Sequence, residues 1–152
     1  MSQGDQGAWQ PLWFGNEHTA DQSNPVYGTA QVLIAAHEDP ACPLPRLQMQ
    51  KAASFLLESQ RPDGLWGGGS GVPASIEETS LALEALQGAR RNPEAPKAVE
   101  RGAEALCLEL QRTVEPEPSP IGLYFARLWY FEKLYPSVFA TSALGALTTA
   151  SH

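Results

Sequence analysis

The chain has 152 residues, 43% of them hydrophobic, which is enough for one domain with a buried core. Its formal charge of −7 and isoelectric point near 4.9 exclude the basic face that a nucleic-acid partner requires, and they match anionic lipid headgroups poorly. No apolar run reaches the roughly 18 residues of a membrane span, and the polar start from Met1 to Gly7 gives no expectation of a signal peptide. Cys42 and Cys107 stand far apart as two idle thiols, which fits a reducing, cytoplasmic compartment.

Residues 1–23 set Trp9 and Trp13 among Gly, Pro, Asn and Asp, the pattern of an ordered loop or arm. A helical domain is expected over 24–150. Asn24-Pro25 supplies a cap and a proline at the first helical position, and the uncharged stretch Val26 to Ala36 reads as a helix buried nearly all round. After Pro40, Pro43 and Pro45, a second helix over Arg46 to Gln60 spaces Leu47, Ala52, Phe55 and Leu56 along one side, with charges over much of the rest.

A glycine-rich stretch then leads to Ser75-x-x-Glu78, a capping box that opens a third helix from Ile76 to about Arg90. Asn92-Pro93 caps a fourth, half-wet helix reaching about Arg112. Ser119-Pro120 is expected to start a fifth over Ile121 to Tyr135, ended by Pro136, and a last helix covers Ser137 to Thr148. Strand signals are absent. Dry helices (first, third, fifth) alternate with wetter ones (second, fourth). A plain bundle would give every helix one wet face, whereas an α/α toroid has an inner ring packed inside an outer one. The expected class is therefore all-α, a partial α/α toroid of about six antiparallel helices alternating inner and outer. A full two-ring toroid needs about twelve helices, so this is half of an (α/α)6 barrel.

Within the second helix and the turn after it, Lys51, Ala52, Phe55, Leu56, Gln60, Gly64 and Trp66 fall at defined spacings. The segment resembles the glutamine–tryptophan repeat of triterpene cyclases of the squalene–hopene type at every constrained place. Each residue has a physical role of its own: Gln60 can cap backbone groups of a neighbouring helix, Gly64 permits a tight turn, and Trp66 offers a flat face to cover the amide. The resemblance implies that the repeat ties the outer helix to the next inner one, beginning near Ser75. A degraded second copy starts at Arg101-Gly102, with Gln111 one place late. Trp13-Phe14-Gly15, Tyr27-Gly28-Thr29, the stretch from Ile121 to Tyr130 and Ala143-Leu144-Gly145 extend the likeness to both ends.

The resemblance implies the carboxy-terminal part of an enzyme that protonates a C30 isoprenoid with an Asp-x-Asp-Asp acid. The aromatic, apolar walls of such an enzyme stabilise the passing cations. No Asp-x-Asp-Asp exists in the chain, so no catalytic residue is assigned and no turnover is expected from the chain alone. Glu77-Glu78, at a helix start, reads as a complement to the helix dipole. Tyr124, Leu128 and Phe131, spaced i, i+4, i+7, match positions that line the family's cavity, although such a stripe is also ordinary core.

The polar stretch Asn16 to Gln22 departs from the family, which carries a substrate-facing tryptophan there. His18 and His37 have no metal-ligand spacing, and neither a zinc set nor a Gly-Cys-Gly-Glu-Gln thioester is present, so no metal and no cofactor are expected. The partners implied are a squalene-like isoprenoid hydrocarbon in the complete barrel, the missing amino-terminal half or a second copy, and a peripheral contact with a membrane. The other reading is a non-catalytic half-barrel that binds an isoprenoid or a protein.

Overall fold

A computed structural model describes residues 3–39, 41–112, 114–123 and 128–149. In chain order the elements are β1 (Phe14–Asn16), α1 (Pro25–Glu38), α2 (Arg46–Glu58), α3 (Ile76–Gly88), α4 (Ala95–Arg112), β2 (Ile121–Leu123), β3 (Leu128–Tyr130) and α5 (Tyr135–Thr149). The first four helices lie where the sequence puts them, and the fold is all-α in character. Among the described residues there are five helices where about six were expected.

The difference lies in the expected fifth helix. Its two described ends are β2 and β3, antiparallel to each other with Ile121 opposite Tyr130, and β2 also pairs with β1, Phe14 opposite Leu123. The order β1-β2-β3 makes a small sheet. Ile121, Trp129 and Tyr130 favour the pleated state, Gly122 weakens a helix, and the amino-terminal arm supplies a ladder that no local rule foresees. Pro136 does not end a helix either. It is the second residue of α5, in the first turn, where the missing N–H is an orphan anyway.

Helix α3 is the centre. Ten of its residues, from Ile76 to Leu86, are buried, and it packs against α1 on one side, α5 on another and α4 behind. Helices α1, α3 and α5 thus form one layer, with α2 and α4 as a second. Helix α4 buries only the line Ala95, Ala98, Val99, Gly102 and Leu106, and its charges stay in water. In α1 the buried set is Val26, Gly28, Thr29, Ala30, Leu33 and Ala36. Although apolar, α5 buries only Pro136, Ala140 and Ala143, and leaves Val138 exposed.

The turn between α2 and α3 joins the layers. Gly64 has φ +90°, the left-handed region, and a β-carbon there would lie 3.0 Å from the Arg101 carbonyl oxygen. The Trp66 indole is fully buried. Its Nε1 donates to the Leu56 carbonyl at 2.7 Å, its backbone N–H donates to Thr79 Oγ1 at 2.9 Å, and its carbonyl accepts from the Ser75 amide at 3.0 Å. One residue therefore binds the end of α2 to the start of α3. The ring lies against Gly102 of α4, where an added β-carbon would sit 2.6 Å from Trp66 Cζ3 and 2.9 Å from Leu83 Cδ2.

Two substitutions test this joint. Gly102→Ala forces the indole or Leu83 to move and should destabilise the fold by about 1–3 kcal/mol, the usual range for overpacking. Gln60→Ala strips the amide that bonds Gly64 and Ala98 and should lose about 1–3 kcal/mol. Urea unfolding checks both, as a lower midpoint with an unchanged slope.

Candidate functional site

Three places bear on function: the Gln60–Trp66 joint, the segment carrying Leu128 and Phe131, and the heads of α1 and α3. At the first, the Gln60 side-chain amide donates to the carbonyls of Gly64 and Ala98, both at 2.9 Å, and the Arg101 guanidinium donates to Gln60 Oε1. The sequence has the Gln60 amide cap backbone groups of a neighbouring helix, and the repeat as a whole tie the second helix to the start of the third. The amide bonds a carbonyl of α4, and Trp66 makes the link to α3. Gln60 lies just beyond the end of α2, while the backbone beyond Gly64 turns back to run beside Ser75.

At the second place, Leu128 lies in β3 and Phe131 just after it, with relative exposures of 59% and 53%. The helical spacing that grouped them with Tyr124 does not hold, because an extended chain turns successive side chains to opposite faces. Tyr124 lies outside the described residues. Leu134 and Val138 continue the exposed apolar surface along the start of α5.

The third place is one that the sequence reads only as a helix cap. Glu77 and Glu78 open α3, and both are completely buried. Glu78 Oε1 accepts from Asn24 Nδ2 at 2.8 Å, Ser119 Oγ at 3.2 Å and Asn16 Nδ2 at 3.4 Å, and Glu78 Oε2 accepts from the Ser75 hydroxyl. The capping box forms in part. Ser75 Oγ accepts the Glu78 amide at 3.0 Å, but Glu78 answers to the Ser75 hydroxyl, since the Ser75 N–H already goes to Trp66. Glu78 is thus the knot between β1, the α1 cap, α3 and the strand approach at Ser119. No Lys or Arg neutralises it among the described residues.

Glu77 has a different setting. Its Oε1 accepts the Ser119 amide at 2.7 Å, and its Oε2 has no hydrogen-bond partner among the described residues. Burial pushes its carboxyl up to about 7; the hydrogen bond from the Ser119 amide opposes the shift and the nearby Glu78 adds to it. Glu77 is therefore able to hold a proton near neutrality. Tyrosines gather beside the pair: the Tyr27 phenol is pushed above its ordinary value first by burial, then by Tyr135, Tyr130 and Glu78, and Phe14 meets the Tyr27 ring at 5.7 Å. The double Glu and the Ser75-x-x-Glu78 box are the local sequence signals. Asn16, Asn24 and Ser119 come from distant segments and could not be assigned to the pair.

No group of three or more His, Cys, Asp and Glu side chains suited to a metal occurs among the described residues. Cys42 and Cys107 are unpaired, and His37, half-buried against Gly88, is depressed below its ordinary value by burial.

Glu77 makes stability depend on pH. Its folded value lies above the 4.5 of an ordinary Glu, so the folded state holds the proton more tightly. Stability contributed by protonated Glu77 should fall as pH rises from about 4.5 through about 7, then level off, by an amount on the order of 3 kcal/mol. Glu77→Gln should flatten that slope and raise stability at pH 8, read by thermal melts across the pH series.

No protein-family profile matches the chain, and no curated protein matches it. Solved structures do. An ent-copalyl diphosphate synthase from Streptomyces platensis superposes with a TM-score of 0.60 at 24% identity, over 93% of this chain and 24% of that one. The type II terpene cyclase MstE from Scytonema superposes at 0.61 with 16% identity, over 98% of this chain and 55% of that one. The chain therefore spans well under two thirds of either protein. Its fold is that of the class II terpene cyclases, a sector of their α/α toroid.

Proposed function

We propose that this chain is the carboxy-terminal sector of a class II terpene cyclase barrel of the squalene–hopene type, and that its apolar wall receives an isoprenoid hydrocarbon. The observation that carries the reading is the likeness in fold to two terpene cyclases, reached through a joint, Gln60–Gly64–Trp66, built on the family's glutamine–tryptophan spacing. The exposed apolar surface supports it. Leu128, Phe131, Leu134 and Val138 face open space, as the wall of a hydrocarbon pocket does when the opposite wall is absent. In the complete barrel the exposed Leu128 and Phe131 line the cavity, and the Phe131 ring stabilises cationic intermediates.

Catalysis needs an acid strong enough to protonate an alkene, and the sequence holds no Asp-x-Asp-Asp. The chain therefore acts only with an acid-bearing complement, which closes the ring. No described helix is long and apolar enough to cross a membrane, and a cytoplasmic protein with at most a peripheral membrane contact fits that. The same lack of an acid favours a second reading, a half-barrel that holds an isoprenoid or a protein partner without turnover.

Incubation of the chain with squalene, and in parallel with an isoprenoid diphosphate, tests the reading by mass spectrometry of extracted products and of retained ligand. We expect retained squalene and no cyclic product, with retention lowered several-fold by Phe131→Asp. Cyclic product from the chain alone would overturn the dependence on a complement, and retention of the diphosphate alone would overturn the substrate class.

A further inference from the structure

Two polar atoms in the interior of α3 have no hydrogen-bond partner among the described residues: Glu77 Oε2 and Ser80 Oγ. Neither side chain reaches the surface, with relative exposures of 0% and 1%. They stand three residues apart on one helix, which makes them neighbours on a single face. That face continues through Glu84 and Gln87, and both of those reach α5. Ser142 Oγ donates to Glu84 Oε2 at 3.2 Å, and Gln87 Nε2 donates to the Ala143 carbonyl at 3.4 Å. The line of Glu77 and Ser80 therefore faces the α5 side of α3.

Native interiors seldom leave a hydroxyl and a carboxyl bare side by side, and ordered water is the usual remedy where protein groups are lacking. The third orphan, His37 Nδ1, sits against Gly88 at the other end of α3 and belongs elsewhere. The Glu78 carboxylate beside the pair is already served by Asn24, Asn16, Ser119 and Ser75 and needs nothing more.

We propose that Glu77 Oε2 and Ser80 Oγ bind one buried water on the α5 side of α3. Water suits both atoms in either protonation state of Glu77. It donates to the carboxylate or accepts from the carboxylic acid, and it accepts from or donates to the rotatable Ser80 hydroxyl. The other Glu77 oxygen is held by the Ser119 amide. The site stands whether or not the chain works as part of a cyclase.

An atomic-resolution crystal structure of the full chain tests the site directly. Density for one water within hydrogen-bond distance of both Glu77 Oε2 and Ser80 Oγ is expected. A direct bond between the two side chains, or Ser80 donating to the Ile76 carbonyl with no water present, overturns the proposal. Oxygen-17 relaxation dispersion counts long-lived waters in solution. Ser80→Val should lose one relative to the unaltered chain, while Ser80→Thr keeps it. An unchanged count in a folded Ser80→Val protein also overturns the proposal; if that variant does not fold, the crystal structure of the unaltered chain decides.

Discussion

The burial of Trp66 is the constraint on which the two-layer arrangement depends. Its indole N–H must find an acceptor once removed from water, and the Leu56 carbonyl at the end of α2 is that acceptor. Its backbone meanwhile lies beside Ser75 and exchanges bonds with Thr79, so the start of α3 is set by the same residue. The ring can come so close to α4 only because Gly102 has no side chain. Three helices in two layers are thus fixed around one side chain, and Gln60 fastens α4 from the other side of the turn.

From that joint the heads of α1 and α3 follow. Placing α3 in the centre removes Glu77 and Glu78 from solvent, where two carboxyls at a helix start would otherwise sit comfortably. The fold meets this in two ways. Glu78 is surrounded by neutral donors from several segments, while Glu77 keeps its proton to a higher pH. The pair is a polar cluster in an otherwise largely apolar core.

Much of the helical order was legible in the sequence because it rests on local signals. The Asn24-Pro25 cap, the Ser75 box and the Gln60-to-Trp66 spacing each act within a few residues, and the structure keeps the element boundaries they mark. The stretch from Ile121 to Tyr135 reads as a helix because Ser119-Pro120 offers a start and Pro136 a stop. Its strand pairing is decided by Phe14 to Asn16, more than a hundred residues earlier, and no window along the chain can show that. Pro136 was misread for a simpler reason: the same residue that stops a helix also begins one. Of the candidate residues, the joint was visible and the carboxyl pair was underrated, since the partners that distinguish Glu78 from an exposed cap come from distant parts of the chain.

The Glu78 knot has a consequence for the way the chain comes together. Its acceptor oxygens take donors 62, 54 and 41 residues away in sequence, the last of them Ser119, well beyond α4. The knot is therefore complete only when Asn16 and Ser119, 103 residues apart in sequence, have met at one carboxylate. Contacts of such sequence separation raise contact order, which in general slows folding. The central helix is accordingly held from both flanks of the sequence, and loosening either one strips a donor from its buried carboxylate.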